Sequence, residues 1–243
     1  MSGDSEVRLG LVLPDVLGTY SDSGNATVLS KRLEWRGVPA TIVPVKLGEP
    51  VPSSLDLYLL GGGEDEAQAL AATHLRAHRG LQEAAARGAV VVGVCAGFQV
   101  LGTSFVTSGG VEHEGLGLLD ATTRPGERRA VGEVVARVDS LLGDEPLTGF
   151  ENHQGTTTLG PGSAPLGEVV RGVGNGDGSG SEGARTGHIL ATYLHGPVLA
   201  RNPALADLLL EWVLGEPPKP LALAEVSALR RERLSGVRFG HRR

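Results

Sequence analysis

The segment Val90-Val91-Val92-Gly93-Val94-Cys95-Ala96-Gly97-Phe98-Gln99 puts a nucleophile where a chain can present one. A run of β-branched residues ends at Gly93, and a short apolar segment (Phe98, Val100, Leu101, Phe105) follows Gly97. Cys95, the sole cysteine, therefore stands on a strand-to-helix elbow of the form G-x-C-x-G. Glycines belong on either side because the turn is strained and side chains there would meet neighbouring backbone. The turn also leaves the Ala96 N–H unpaired at the start of a helix, able to donate to an oxyanion. The competing reading of a lone cysteine is a buried structural residue.

A cysteine nucleophile needs a base, and the chain has 7 histidines. His74 and His78 lie four apart on a helical pattern, but Leu75 and Arg76 stand where a zinc motif would carry its Glu, so both read as solvated. His113 sits in a charged loop between Glu112 and Glu114, His241 in the tail, and His188 begins a strand. His153 (Phe150-Glu151-Asn152-His153-Gln154-Gly155) and His195 (Tyr193-Leu194-His195-Gly196-Pro197) remain. His195 is the better base. It follows a strand directly, and Gly196-Pro197 turn the chain, the position from which a side chain crosses the C-terminal edge of a parallel sheet. A packed structural histidine is its alternative, and the His153 motif reads as loop architecture beside the pocket. Gln99, four residues after Cys95, projects from the same helix face as the nucleophile. Gly61-Gly62-Gly63 close the strand before the elbow strand, so a glycine N–H there can be a second oxyanion donor, or the turn can be an ordinary one.

The elements that must hold these residues are short apolar runs separated by helical patterns, the signature of α/β with a mostly parallel central sheet flanked by helices. Val7–Leu13 reads as the first strand. A helix opening at Ser23-Gly24-Asn25 runs to about Arg36 and is stopped by Gly37. Ala40–Val45 and Leu55–Leu60 are strands, Glu66–Arg87 a helix ended by Gly88, and Ala89–Val94 feeds the elbow. Beyond Thr103, shorter strands (Gly132–Val138, His188–Tyr193) among turns suggest a small antiparallel sheet extension. Gly172–Gly187, dense in Gly, Ser, Asp and Asn, reads as a long flexible loop, either an inert insertion or an ordered functional loop. Ala204–Leu214 is a helix. The expected organisation is a flexible N-terminus over 1–6, one domain over 7–214, and a Pro-containing break with a basic tail (Arg230, Arg231, Arg233, Arg238, Arg243) over 215–243.

Composition narrows the classes of function. A length of 243 residues suits one α/β domain with a modest appendage. The 40% hydrophobic and 21% charged contents are those of a soluble globular protein, and a net charge of −6 argues against a nucleic-acid surface. A single cysteine excludes an internal disulfide. The acidic, polar start lacks a signal-peptide core, and no apolar run approaches the ~18–20 residues of a membrane span. The default location is the cytoplasm.

Leu60-Gly61-Gly62-Gly63-Glu64-Asp65, then Gly93 to Gly102 and Tyr193-Leu194-His195-Gly196, together resemble the class I glutamine amidotransferases, a flavodoxin-like fold. Asp22-Ser23-Gly24-Asn25, Glu34-Trp35-Arg36-Gly37, Phe150-Glu151-Asn152-His153, Gly174-Asn175, Glu182-Gly183 and His195-Gly196-Pro197 narrow this. They resemble the cobyric-acid-synthase-like branch and, within it, the glutaminase subunits of lipid II isoglutaminyl synthases. The resemblance spans about Val7 to Val213. It implies that L-glutamine is hydrolysed to glutamate and ammonia. Cys95 would be nucleophile, His195 base and then acid, and the amides of Ala96 and of Gly62 or Gly63 the oxyanion donors. It also implies that Arg129, with Arg128 as the adjacent competitor, grips the glutamine α-carboxylate bidentately. Such subunits pair as heterodimers with a MurT-like, Mur-ligase-family subunit that reaches lipid II. The resemblance thus implies no cofactor in this chain and ATP and Mg on the partner, in keeping with the lack of a Gly-x-x-x-x-Gly-Lys-Ser/Thr loop here. The rival acceptor is a corrinoid carboxylate, whose enzymes usually carry an N-terminal ATP-binding domain; a non-catalytic regulatory module on the same scaffold is a second rival. Many class I members have a Glu two residues after the histidine, and here that position is Pro197. The acid that orients His195 is therefore expected from the partner subunit, or only once the complex forms.

Overall fold

The computed structural model describes residues 6–18, 22–138, 141–143, 145–235 and 237. The first half runs β1 (Val7–Val12), α1 (Gly24–Glu34), β2 (Ala40–Val45), β3 (Leu57–Leu60), α2 (Asp65–Ala77), α3 (Gly80–Ala86), β4 (Val90–Val94) and α4 (Ala96–Leu101). The middle is strand-rich: β5 (Ser104–Val106), β6 (Glu112–Glu114), β7 (Ala121–Arg137), β8 (Leu147–Leu159), β9 (Gly167–Arg171), β10 (Ser181–Glu182), β11 (Ala184–Thr186) and β12 (Ile189–Thr192). Helices α5 (Val198–Arg201), α6 (Pro203–Leu214) and α7 (Ala224–Leu234) follow.

The main sheet has the order β11-β12-β4-β3-β1-β2, and every adjacent pair is parallel except β11 on β12. Its centre is β3 and β4, whose every residue is buried, as strands covered by helices on both faces must be. Buried apolar residues from Val7 to Leu210 form one core cluster. Asn25 accepts a hydrogen bond from the Leu199 N–H (2.9 Å), and Arg32 and Arg36 both pair with Asp207, at 2.5 and 2.8 Å. These polar ties fix α1 against α5 and α6.

Two expectations are corrected, the single helix over 66–87 and the loop placement of the His153 motif. The single helix over 66–87 is two, because the chain leaves helical geometry at His78 (φ −109, ψ 87) and Gly80 passes the Val51 carbonyl so closely that a Cβ would stand 1.8 Å from its oxygen. The expected sheet extension is present as a second, largely antiparallel sheet, β10-β9-β7-β5-β6 with β8 paired to β7. Its spine is the antiparallel ribbon of the 17-residue β7 and 13-residue β8, so the His153 motif lies on a strand rather than a loop. The register shifts between Pro125 and Ala130, where Pro125 lacks an N–H for the ladder, and this bulge carries Arg129. The Gly172–Gly187 stretch contains β10 and β11 and is tied down by buried polar side chains. Glu151 accepts from the N–H groups of Val173 and Gly174 (2.9 Å each), and Asn175 brackets Gly183 at 2.8 and 3.0 Å.

Helix α7 buries none of its residues. Residues 1–5 of the expected N-terminus, and Arg238, His241 and Arg243 of the tail, lie outside the described residues. Among the described residues no helix is long and apolar enough to cross a membrane.

Candidate active site

Four adjacent parallel strands, β12, β4, β3 and β1, end on one edge of the main sheet, where open α/β sheets gather their sites. The segments that follow them bring His195, Cys95, Gly61–Gly63 and Asp22 together. Cys95 has φ +54 and ψ −105, a conformation rarely adopted by a side-chain-bearing residue and the mark of a strained elbow. The flanking glycines are sterically required. A Cβ on Gly93 would lie 2.8 Å from the Gly97 carbonyl, and one on Gly97 would lie 2.7 Å from the Leu60 oxygen. The turn is pinned by Cys95 N–H to the Thr192 carbonyl (2.9 Å) and Gly97 N–H to the Gly61 carbonyl (3.0 Å).

His195 exchanges backbone hydrogen bonds with Phe150 of β8 (2.9 and 3.1 Å), which fixes the height of its ring at the sheet edge. Its Nδ1 lies 3.1 Å from Asp22 Oδ2 and 3.3 Å from Oδ1. Both side chains are buried, at 2% exposure each. The orienting acid thus comes from this chain, which corrects the expectation of a partner-supplied carboxylate. Pro197 leaves the position after the histidine empty of acid, but the loop after β1 fills the same role from across the sheet. With Nδ1 held by a carboxylate, Nε2 is the nitrogen that exchanges protons with thiol and leaving group. A Cβ on Gly62 would lie 3.2 Å from His195 Cε1, 3.4 Å from Asp22 Oδ2 and 3.6 Å from Cys95 Cβ. All three catalytic side chains therefore converge on a point that must stay bare.

The oxyanion donors divide. Ala96 opens α4 directly after Cys95, and its N–H is in place for an oxyanion on the attacked carbon. The Gly62 N–H donates to Asp22 Oδ2 (3.1 Å), so it is committed to orienting the acid; this corrects its expected role. Gly63 lines the pocket beside Cys95 and Ala96.

Burial, with the charge of Asp22 as a second cause, pushes the Cys95 thiol up to about 12. The resting thiol is consequently protonated at neutral pH, and attack requires transfer of its proton to His195. Alkylation of the free protein by iodoacetamide is expected to be slow near neutrality and to keep accelerating past about pH 10. A plateau of the alkylation rate by about pH 7 would show a standing thiolate instead.

A cavity of about 320 Å³ opens over the thiol, lined by Cys95, Ala96, Gln99, Arg129, His153 and Glu64 among others. Arg129 lines it and donates to Asn152 Oδ1 (2.7 Å), whereas Arg128 lines only the neighbouring cavity. Arg129 and Glu64 supply opposite charges suited to an α-carboxylate and an α-ammonium. Gln99 lines the pocket, with its Oε1 accepting from Gln68 (2.7 Å) and its Nε2 donating to Tyr193 (3.2 Å). His153 also lines the pocket, but its ring is stacked on Tyr193 (centroids 3.8 Å) and its Nδ1 is bonded to the Gly155 carbonyl at 2.8 Å. Arg129→Ala is expected to raise the KM for glutamine by about 30-fold, the loss of about 2 kcal/mol for a charge-assisted contact, while Arg128→Ala leaves it unchanged. Steady-state ammonia release by the two variants checks this.

A family model, the CobB/CobQ-like glutamine amidotransferase domain, matches residues 8–203. The chain is 37% identical over 208 residues to subunit GatD of the glutamine-hydrolyzing lipid II isoglutaminyl synthase of Staphylococcus aureus (strain N315), covering 85% of this chain and 84% of that one. It is 34% identical over 204 residues to the subunit of the same name from Streptococcus pneumoniae, covering 83% and 78%. A cobyric acid synthase of Sphingopyxis alaskensis is 32% identical over 188 residues, 72% of this chain but 34% of that enzyme. Among solved structures, the glutaminase domain of Trypanosoma brucei CTPS with bound acivicin superposes with a TM-score of 0.53 at 14% identity, covering 86% of this chain and 94% of that one, a likeness of fold.

Proposed function

We propose that this chain, which belongs to the CobB/CobQ-like glutamine amidotransferase family, is the glutaminase subunit of a lipid II isoglutaminyl synthase. It is a glutaminase by family. Cys95 gives its proton to His195 and attacks the side-chain amide carbon of glutamine. The tetrahedral oxyanion is held by the N–H groups of Ala96 and Gly63. His195 returns the proton to the departing nitrogen, so ammonia leaves and a γ-glutamyl thioester remains on Cys95. Water, deprotonated by the same imidazole, then releases glutamate. Asp22 keeps the Nδ1 proton in place throughout and stabilises the imidazolium.

The ammonia is used by a MurT-like, Mur-ligase-family partner that binds ATP and Mg and amidates the D-glutamate α-carboxylate of the lipid II stem peptide to D-isoglutamine. The observation that carries this acceptor is the 37% identity to GatD over most of both chains, joined to a complete Cys95–His195–Asp22 set. Copurification with the Mur-ligase-like subunit, followed by mass analysis of lipid II incubated with ATP and glutamine, tests it. Amidated lipid II is expected with glutamine for the wild-type complex, and only with ammonium chloride for a Cys95→Ala complex. Amidation of a corrinoid carboxylate, with lipid II left unchanged, would assign the other acceptor.

A further inference from the structure

We infer that the cavity behind the His195 loop is a binding site for a phosphate-class oxyanion. It measures about 210 Å³ and is lined by Glu133, Val135, Thr148, Arg171, Arg201 and Arg233. Three guanidinium groups reach it from three separate elements, the ends of β9 and α5 and the last turn of α7. Arg201 is buried and uses Nη1 and Nη2 on Glu133, leaving its Nε without a hydrogen-bond partner. Thr148 Oγ1, also buried, is likewise without one. An unmet buried polar group is costly, and two of the residues that line this small cavity each hold one. Arg171 and Arg233 make no hydrogen bond or ion pair among the described residues.

The charges and geometry select the ligand. Glu133 also faces the cavity, and it balances Arg201, so Arg171 and Arg233 leave two positive charges uncompensated. A dianion matches that count. Its oxygens must meet donors arriving from different sides, which a tetrahedral oxyanion can do and a planar carboxylate with two oxygens cannot. The site is mechanically connected to the catalytic base. A Cβ on Gly196, the residue after His195, would lie 2.5 Å from Arg201 Cδ, so the stem of the same arginine backs the His195 loop.

The inference stands apart from the glutaminase assignment, and its test reads binding rather than turnover. The full chain is titrated with inorganic phosphate at constant ionic strength by calorimetry, with sulfate and acetate as competitors and glycerol phosphate as a second ligand. Saturable phosphate binding is expected, displaced by sulfate and not by acetate. It should weaken at least tenfold in an Arg171→Ala/Arg233→Ala variant, whose altered side chains are exposed and contribute little packing. Thr148→Val, which keeps shape and charge, should weaken it several-fold. Glycerol phosphate binding as tightly as phosphate would assign phosphomonoesters, and failure to bind would assign the free ion. Absence of saturable binding by the wild-type chain, equal affinity in the double variant, or equal displacement by acetate would overturn the inference.

Discussion

Cys95→Ala is expected to lower glutamine hydrolysis by about 10⁴-fold or more, because covalent catalysis has no second thiol to fall back on in this chain. The loss should appear in kcat. Arg129, Glu64 and Gln99, which line the cavity over the thiol, are untouched, so binding of glutamine should persist. Stability should change little. The substitution removes one sulfur atom at a position 8% exposed, and alanine inherits the same positive φ without adding new strain. Coupled detection of glutamate and ammonia, with a thermal melt of both proteins, checks both halves. Turnover by the variant within tenfold of wild type would remove Cys95 from the mechanism.

Asp22→Asn is expected to lower kcat by about 10²–10⁴-fold with KM nearly unchanged, the effect of losing the carboxylate that holds a catalytic histidine in its working tautomer. Asp22 accepts from both His195 Nδ1 (3.1 Å) and the Gly62 N–H (3.1 Å). Both donors meet the same oxygen, so an asparagine carbonyl placed there can still accept from them, but it carries no charge to stabilise the imidazolium. The same change carries a second signature of opposite sign. The Asp22 charge helps to hold the Cys95 thiol high, so its removal should lower the thiol pKa and speed alkylation at a given pH while glutamine turnover falls. A merely destabilised protein would not separate these two readouts. Full glutaminase activity in the variant would show that the orienting group lies elsewhere.

The nucleophile and base were legible because local covalent geometry dictates their neighbours. Gly93 and Gly97 must be glycine for the elbow to close against Leu60 and Leu101, and Gly196-Pro197 must turn the chain after His195. The buried parallel strands were legible for a similar reason, since Leu57–Leu60 and Val90–Val94 are apolar at every residue or nearly so. Asp22 was not. It stands 173 residues from His195, and Asp-Ser-Gly-Asn before a helical pattern reads as a cap. The signal available was topological: once β1 and β12 are placed on the same edge, an acid just after β1 can reach a base just after β12. Beyond the expected strand at Gly132–Val138, the β7–β8 ribbon escaped sequence reading because Thr-Arg-Pro-Gly-Glu-Arg-Arg and Asn-His-Gln-Gly carry turn residues on strands that cohere through backbone pairing rather than an apolar stripe. The glycine-rich stretch before β12 escaped for a related reason. Its order comes from Glu151, Asn175 and Glu182, and Glu182 accepts from the Thr192 hydroxyl (2.5 Å) and the Tyr193 N–H (3.0 Å). Such long-range polar ties leave no periodicity to read.

The central claim, that glutamine is cleaved through a thioester on Cys95 oriented by groups of this chain alone, is tested most directly by rapid acid quench of the purified protein mixed with glutamine, followed by intact and peptide mass measurement. A γ-glutamyl adduct on the peptide containing Cys95 is expected in the wild-type protein and none in His195→Ala. Hydrolysis of glutamine at the wild-type rate with no adduct on Cys95, or an adduct that forms undiminished without His195, would contradict it.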